Sequence, residues 1–146
     1  MPNTFDWIVA SGAFGAASSW SVGEPGDVSG PPTSADYAEI DIAASLYGTG
    51  VADNLDIDAA VTISSRLITT VSGSATIGAN GVASVTVSST WTAVGYLQVG
   101  GYPVNGVAYA GTLTIGAGGI VDNPSTQGVA IGATTFTTSS VPARAP

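Results

Sequence analysis

Residues 75–101 read ATIGANGVASVTVSSTWTAVGYLQVGG, and this stretch decides the fold. It holds three apolar pairs separated by one polar residue, Ala75-Thr-Ile77, Val85-Thr-Val87 and Leu97-Gln-Val99, with Gly directly after the first and the last. Alternation at period two is the pattern of a strand with one buried face, and no 3.6-residue period competes with it. Working outward, the Gly-ended series extends back to Leu55-Asp-Ile-Asp58 and forward to Val129-Ala-Ile-Gly132, with steps of 20, 22 and 32 residues between Leu55, Ala75, Leu97 and Val129. A second series interleaves with it: Val61-Thr-Ile-Ser64, Val85-Thr-Val-Ser88 and Leu113-Thr-Ile-Gly116. A third fits between them at Leu67 to Val71, Trp91 to Val94 and Ile120-Val121. The wide last step is absorbed by the turn-rich segments Gly101 to Ala110 and Asp122 to Gln127.

An ordered recurrence of three short strands is what a three-sided β-solenoid requires, each turn of chain lying on the last. It predicts Ile77, Val99 and Ile131 one above another, and Val87 above or below Ile115. The competing fold is an antiparallel sandwich, because Ala79-Asn-Gly-Val82 lies between apolar alternations and Asn-Gly is the strongest short hairpin signal. A Gly recurring after the same strand in successive periods favours the solenoid, since a sandwich has no reason to place a corner at a fixed phase.

The rest of the composition narrows function by exclusion. Of 146 residues 45% are hydrophobic and only 8% charged, so solubility rests on hydroxyls, amides and backbone. Neither His nor Cys occurs, which removes imidazole acid-base chemistry, thiolate nucleophiles, disulfides and Cys/His zinc sites. Ten acidic against two basic residues, a net charge of -8, exclude neutralisation of a phosphate backbone, so neither nucleic acid nor an anionic membrane surface is expected as a partner. The opening MPNTFDWIVASGAFG has no basic stretch before its apolar residues and does not read as a secretory signal, and no run approaches the ~20 apolar residues of a membrane span. The expectation is synthesis in the cytoplasm, with exit by lysis or assembly. Nine of the ten acidic residues precede residue 59, which divides the chain into an acidic, aromatic, Pro-containing front and a nearly neutral back. The division expected is an irregular cap or attachment segment over 1–50, strand repeats over 51–141 and a tail over 142–146.

Tyr96-Leu-Gln-Val-Gly-Gly101 followed by Gly111-Thr-Leu-Thr-Ile-Gly-Ala-Gly-Gly-Ile-Val121 resembles the repeats of autotransporter-type β-solenoid passengers. The front resembles their entry segment, with Ala17-Ser-Ser-Trp-Ser21 leading through Pro31-Pro-Thr-Ser-Ala-Asp36 to an apolar first strand at Ala38 to Ile42. The resemblance covers roughly residues 17 to 132 and implies an all-β, short right-handed parallel β-helix. Similar segments occur in bacteriophage fibres, spikes and decoration proteins.

Chemistry-bearing residues are few. Asp53, Asp56 and Asp58 form the densest acidic group, a candidate for weak Ca²⁺ binding with Asn54 adding an oxygen, although carboxylates that keep an outward strand face wet explain it as well. Without His or Lys beside them no catalytic residue is assigned, and no cofactor is expected. Gly100-Gly101 and Gly118-Gly119 read as corners, because no helix and no Lys follow to make a phosphate cradle. Trp7 and Trp20, with Trp91, either form a platform for stacking a cell-surface glycan or plug the end of the solenoid or an interface with a partner. Tyr102, Tyr109 and Phe136 are the further contact candidates, the first two flanking an insertion and the last near a C-terminal strand edge. The function expected is a non-enzymatic structural protein of a phage particle, a capsid decoration or fibre subunit in the virion. It would associate with itself, as a trimer by analogy with fibres, and with other virion proteins. The alternative is a fragment of a bacterial cell-surface or biofilm adhesin.

Overall fold

In the computed structural model the described residues are 2–22, 30–101, 107, 109–131 and 134–138. They form an all-β molecule whose only helical element is a 3-10 turn at Ala17–Ser19. The strands are β1 (Thr4–Trp7), β2 (Ser11–Ala13), β3 (Trp20–Val22), β4 (Tyr37–Ile40), β5 (Ala44–Ala52), β6 (Asn54–Ile57) and β7 (Ala60–Ile63). They continue with β8 (Leu67–Ile77), β9 (Ala83–Val87), β10 (Thr90–Val99), β11 (Gly111–Ile115), β12 (Ile120–Asp122), β13 (Val129–Ile131) and β14 (Thr134–Thr138). Every described pairing is parallel except that of β1 with β3, and the sheet does not close on itself.

Three ladders carry the pairing. The first runs β3-β1-β4-β6-β8-β10-β13 and aligns Phe5, Ala38, Leu55, Ala75, Leu97 and Val129. The second runs β2-β5-β7-β9-β11-β14 and aligns Ala44, Val61, Val85, Leu113 and Phe136. The third takes the other half of the long strands, β5-β8-β10-β12, and aligns Gly48, Leu67, Trp91 and Val121. Val99 therefore pairs with Ile77 on one side and Ile131 on the other, and Ile115 pairs with Val87, in the register that the spacing predicts. β8 and β9 pair with other strands and not with each other, so Asn80-Gly81 is a corner and no hairpin forms there.

One hydrophobic core lies between the ladders. Leu55, Ile57, Val61, Ile63, Leu67, Ile77, Val85, Val87, Trp91, Leu97, Val99 and Leu113 are all buried in it. Ile115 is only partly buried, so Leu113 is the β11 residue with the full inward position. The alternation also breaks at residues 75–78 and 97–101, where Thr76, Gln98 and the glycines are buried along with their apolar neighbours. The segment after Gly101 returns to this corner, with the Gly101 N–H donating to the Tyr109 carbonyl at 3.1 Å and the Ala83 N–H to the Ala110 carbonyl at 3.1 Å.

The corner glycines have a backbone reason. Gly78 and Gly100 follow Ile77 and Val99 at φ of +85° and +88°, a region costly for side chains, and donate to the Ile57 and Ile77 carbonyls at 2.8 Å each. Asp58 holds the same place one strand earlier, its N–H donating to the Ile40 carbonyl at 2.9 Å.

Among the described residues, the first fifty positions hold more strand than an irregular cap would. β1 and β4 extend the first ladder in register, β2 extends the second, and β5 runs through Gly50 and Val51. β1, β2 and β4 are short, with four, three and four residues, whereas β5 has nine. The tail at 142–146 lies outside the described residues.

Candidate functional site

The feature that sets one face apart is a row of carboxylates on the outer side of the first ladder. Period-two alternation in Thr4–Trp7, Tyr37–Ile40 and Asn54–Ile57 sends Phe5 and Trp7, Ala38 and Ile40, and Leu55 and Ile57 inward, leaving Asp6, Glu39 and Asp56 between them facing out. The register sets Asp6 beside Glu39 and Glu39 beside Asp56, one strand spacing apart. Asp41 and Asp58 follow directly after β4 and β6. Carboxylate oxygens of Asp6, Glu39 and Asp41 all lie within 4.8 Å of one another.

Crowding changes their proton affinity. Partial burial, reinforced by the charges of Asp58, Glu39 and Asp41, pushes Asp56 up to about 6. Glu39 is raised by burial and then by Asp41, Asp6 and Asp58, and Asp41 by burial and then by Asp58 and Asp6. Asp36 is the counter-example. Burial would raise it, but its carboxylate accepts from the Thr33 hydroxyl at 2.6 Å, the Thr33 N–H at 2.9 Å, the Asn3 N–H at 3.1 Å and the Asn3 side chain at 3.2 Å, and these bonds hold it below the usual range. It ties the N-terminus to the start of β4.

A pH dependence of stability follows. Raised folded-state values mean that the folded chain binds more protons than the unfolded one, so stability from Asp56 is present at low pH and lost as pH rises through about 6, and Glu39 and Asp41 act in the same direction. Asp36 works oppositely, its contribution disappearing only as pH falls through its lowered value. The thermal midpoint is expected to be higher near pH ~4.5 than near pH ~7.5, with a gain of about 1–2 kcal/mol from Asp56 after solvent screening. Asp56→Asn should remove the largest share of that difference. A flat midpoint across the range in the parent protein would contradict the crowding.

The structure redistributes the residues singled out by sequence. Asp53, Asp56 and Asp58, although close in sequence, do not bring three carboxylates together, and Asp53 and Asp58 do separate work. The Asp53 carbonyl accepts the Gly73 N–H at 2.7 Å, and its neighbour Asn54 accepts the Ser74 N–H at 2.9 Å. The Asp58 carboxylate accepts the Asn80 and Gly81 N–H groups at 2.8 and 3.0 Å, stitching one corner to the next strand level. Trp7 and Trp20 are core residues and not contact surfaces, 3% and 5% exposed, packed edge-to-face with centroids 5.0 Å apart. Burial of such large apolar area outweighs any gain from exposing it. Trp91 is fully buried. Tyr109 is 37% exposed on the returning segment, Phe136 lies in β14 opposite Leu113, and Tyr102 is outside the described residues.

Sequence reasoning missed the carboxylate row because Asp6, Glu39 and Asp56 belong to three separate strands. The signal available was the repeated apolar-acid-apolar triplet: Phe5-Asp-Trp7, Ala38-Glu-Ile40 and Leu55-Asp-Ile57.

No protein-family model matches the chain, and no curated protein or solved structure is significantly similar to it. No helix among the described residues is long and apolar enough to cross a membrane.

Proposed function

We propose that the chain is a short right-handed parallel β-helix serving as a non-enzymatic structural subunit of a bacteriophage particle, a capsid decoration or fibre subunit that assembles with copies of itself. The observation that carries this reading is that the parallel ladders end in strands paired on one side only among the described residues. At one end these are β3, turned back antiparallel on β1, and β2, beside β5, with the Phe14 ring against Gly50. At the other, β12, β13 and β14 are the last strands of their ladders among the described residues, and an unpaired edge is a template for another chain. Right-handed winding follows from the rule for parallel crossover connections. A chain in which only 8% of residues are charged suits close packing of copies, since little charge must be desolvated on assembly.

Two measurements test the reading. Sedimentation velocity at micromolar concentration is expected to show an oligomer that persists in high salt, because few charges contribute to the contact. Mass spectrometry of phage particles purified from the producing cells is expected to find the chain among the particle proteins. A monomer at both salt concentrations, together with recovery of the chain from the cell-surface fraction and not from particles, would overturn the structural-subunit reading in favour of the adhesin.

A further inference from the structure

We infer that Asn80-Gly81 is a self-modification site, at which asparagine loses its amide to the following backbone nitrogen, and that the Asp58 carboxylate keeps this site closed in the folded chain. The inference concerns the chain's own chemistry and stands whether or not copies assemble. Asn80 and Gly81 lie in the corner between β8 and β9, and Asn80 is exposed to water. The missing side chain at Gly81 leaves its nitrogen open to the Asn80 side chain. In the reaction the Gly81 nitrogen attacks Cγ of Asn80, the new N–C bond closes a five-membered imide, and the Cγ–Nδ2 bond breaks. Ammonia leaves, carrying the proton given up by the Gly81 N–H. Water then opens the imide at either carbonyl, giving aspartate or isoaspartate.

The structure opposes the first step at both of its requirements. The nitrogen must lose its proton, but the Gly81 N–H donates to a carboxylate oxygen of Asp58 at 3.0 Å, a charge-assisted bond. The negative charge of Asp58 further disfavours negative charge building up on that nitrogen. The nitrogen must also turn onto Cγ, but the Asn80 N–H donates to the same oxygen at 2.8 Å, so the peptide between the two residues is held at both ends. Gly81 is moreover seated against Asp58: a Cβ at Gly81 would lie 3.4 Å from Asp58 Cβ and 3.5 Å from its carbonyl oxygen. This gives a reason for Asp58 itself. It occupies the corner place that Gly78 and Gly100 hold in later strands, with its N–H donating to the Ile40 carbonyl at 2.9 Å, and its side chain reaches the next level, where the reactive pair stands.

The product does not restore the corner. Aspartate at position 80 sets a second carboxylate beside Asp58, and isoaspartate adds one main-chain carbon ahead of β9, where Ser84 pairs with Ala60 and Thr112. Loss of ammonia makes the change one-way.

Peptide-resolved mass spectrometry of the full chain, incubated at neutral pH with and without urea, reads the conversion of Asn80 to the acid and separates it from Asn105-Gly106, which lies outside the described residues. Native Asn80 is expected to react about tenfold or more slowly than in urea, the factor that one hydrogen bond to a charged acceptor is worth. Asp58→Ala is expected to recover most of that factor in the folded state. Asp58→Asn keeps an acceptor oxygen without the charge and is expected to fall between the two. Circular dichroism establishes that the variants fold, and if Asp58→Ala does not, Asp58→Asn carries the same comparison. Amide exchange at Gly81, which needs loss of the same proton, is expected to accelerate in step with the reaction. A native parent chain in which Asn80 reacts as fast as in urea overturns the closed site. A folded Asp58 variant that reacts no faster than the parent overturns the role of Asp58.

Discussion

Replacing Trp91 by alanine is expected to lower the unfolding free energy by about 3–5 kcal/mol, the largest effect of any single substitution considered. Trp91 is fully buried in the third ladder, between Leu67 on β8 and Val121 on β12. Its indole N–H donates to the hydroxyl of Thr69, itself buried, at 3.1 Å. Truncation removes the largest fully buried side chain and leaves a cavity that the neighbouring strands, held by their own ladders, cannot collapse to fill. The adjacent Thr92 points the other way and is only partly buried, so Thr92→Ala is expected to cost less than ~1 kcal/mol. Equilibrium urea unfolding of both variants, followed by far-ultraviolet circular dichroism at one pH, gives the two values. Comparable losses from the two would mean that the inward and outward positions of β10 are exchanged.

The second large effect is expected at the covered end of the ladders, where Trp20→Ala should cost about 3–4 kcal/mol. The Trp20 ring stands edge-on to both Trp7 and Phe14 with centroids 5.0 Å away in each case, and its indole N–H donates to the Phe14 carbonyl at 2.7 Å. That cluster holds β3 against β1, where Trp20 pairs with Trp7. Trp20→Phe keeps most of the apolar area and leaves the Phe14 carbonyl without this donor, which predicts a smaller loss of about 1–2 kcal/mol. A double-mutant cycle with Phe14→Leu isolates the ring contact, expected at about 0.5–1.5 kcal/mol. The loss should also be local. Amide exchange in Trp20→Ala is expected to accelerate in β1 and β3 before it does in β10, because the end strands open at lower free energy than the core. Uniform acceleration along the chain would show that the aromatic cluster supports the whole core and not one end of it.

How much of this could be read from the chain depends on the range over which each decision is made. The three strand series and their relative registers were legible, because an inward apolar and an outward polar residue must alternate within four or five positions. The corner glycines 78 and 100 mark the same phase in successive strands for a local backbone reason. The character of the front was not legible: Thr4–Trp7 and Ser11–Ala13 are too short to show a period, and become strands only because β4 and β5 stand beside them. The tryptophans were ambiguous for a related reason. Composition does not say whether Trp7 and Trp20 cover the core or face a partner, and it is the fold of the first twenty-two residues over the ladder ends that takes them inside.

The carboxylates separate the two kinds of information most clearly. Asp53, Asp56 and Asp58 are neighbours in sequence, yet the structure gives them different duties, while Asp6, Glu39 and Asp56, scattered over the first 56 residues, stand side by side. The amino-acid sequence by itself determined the absence of thiol and imidazole chemistry, the strand periodicity, the inward set and the positions of the corners, since composition and alternation between adjacent residues are properties of the chain alone. Only the tertiary structure decided which acids crowd together, which end of the ladders is covered by its own chain and which tryptophans are interior, because each of these depends on the register between strands formed from residues far apart in sequence.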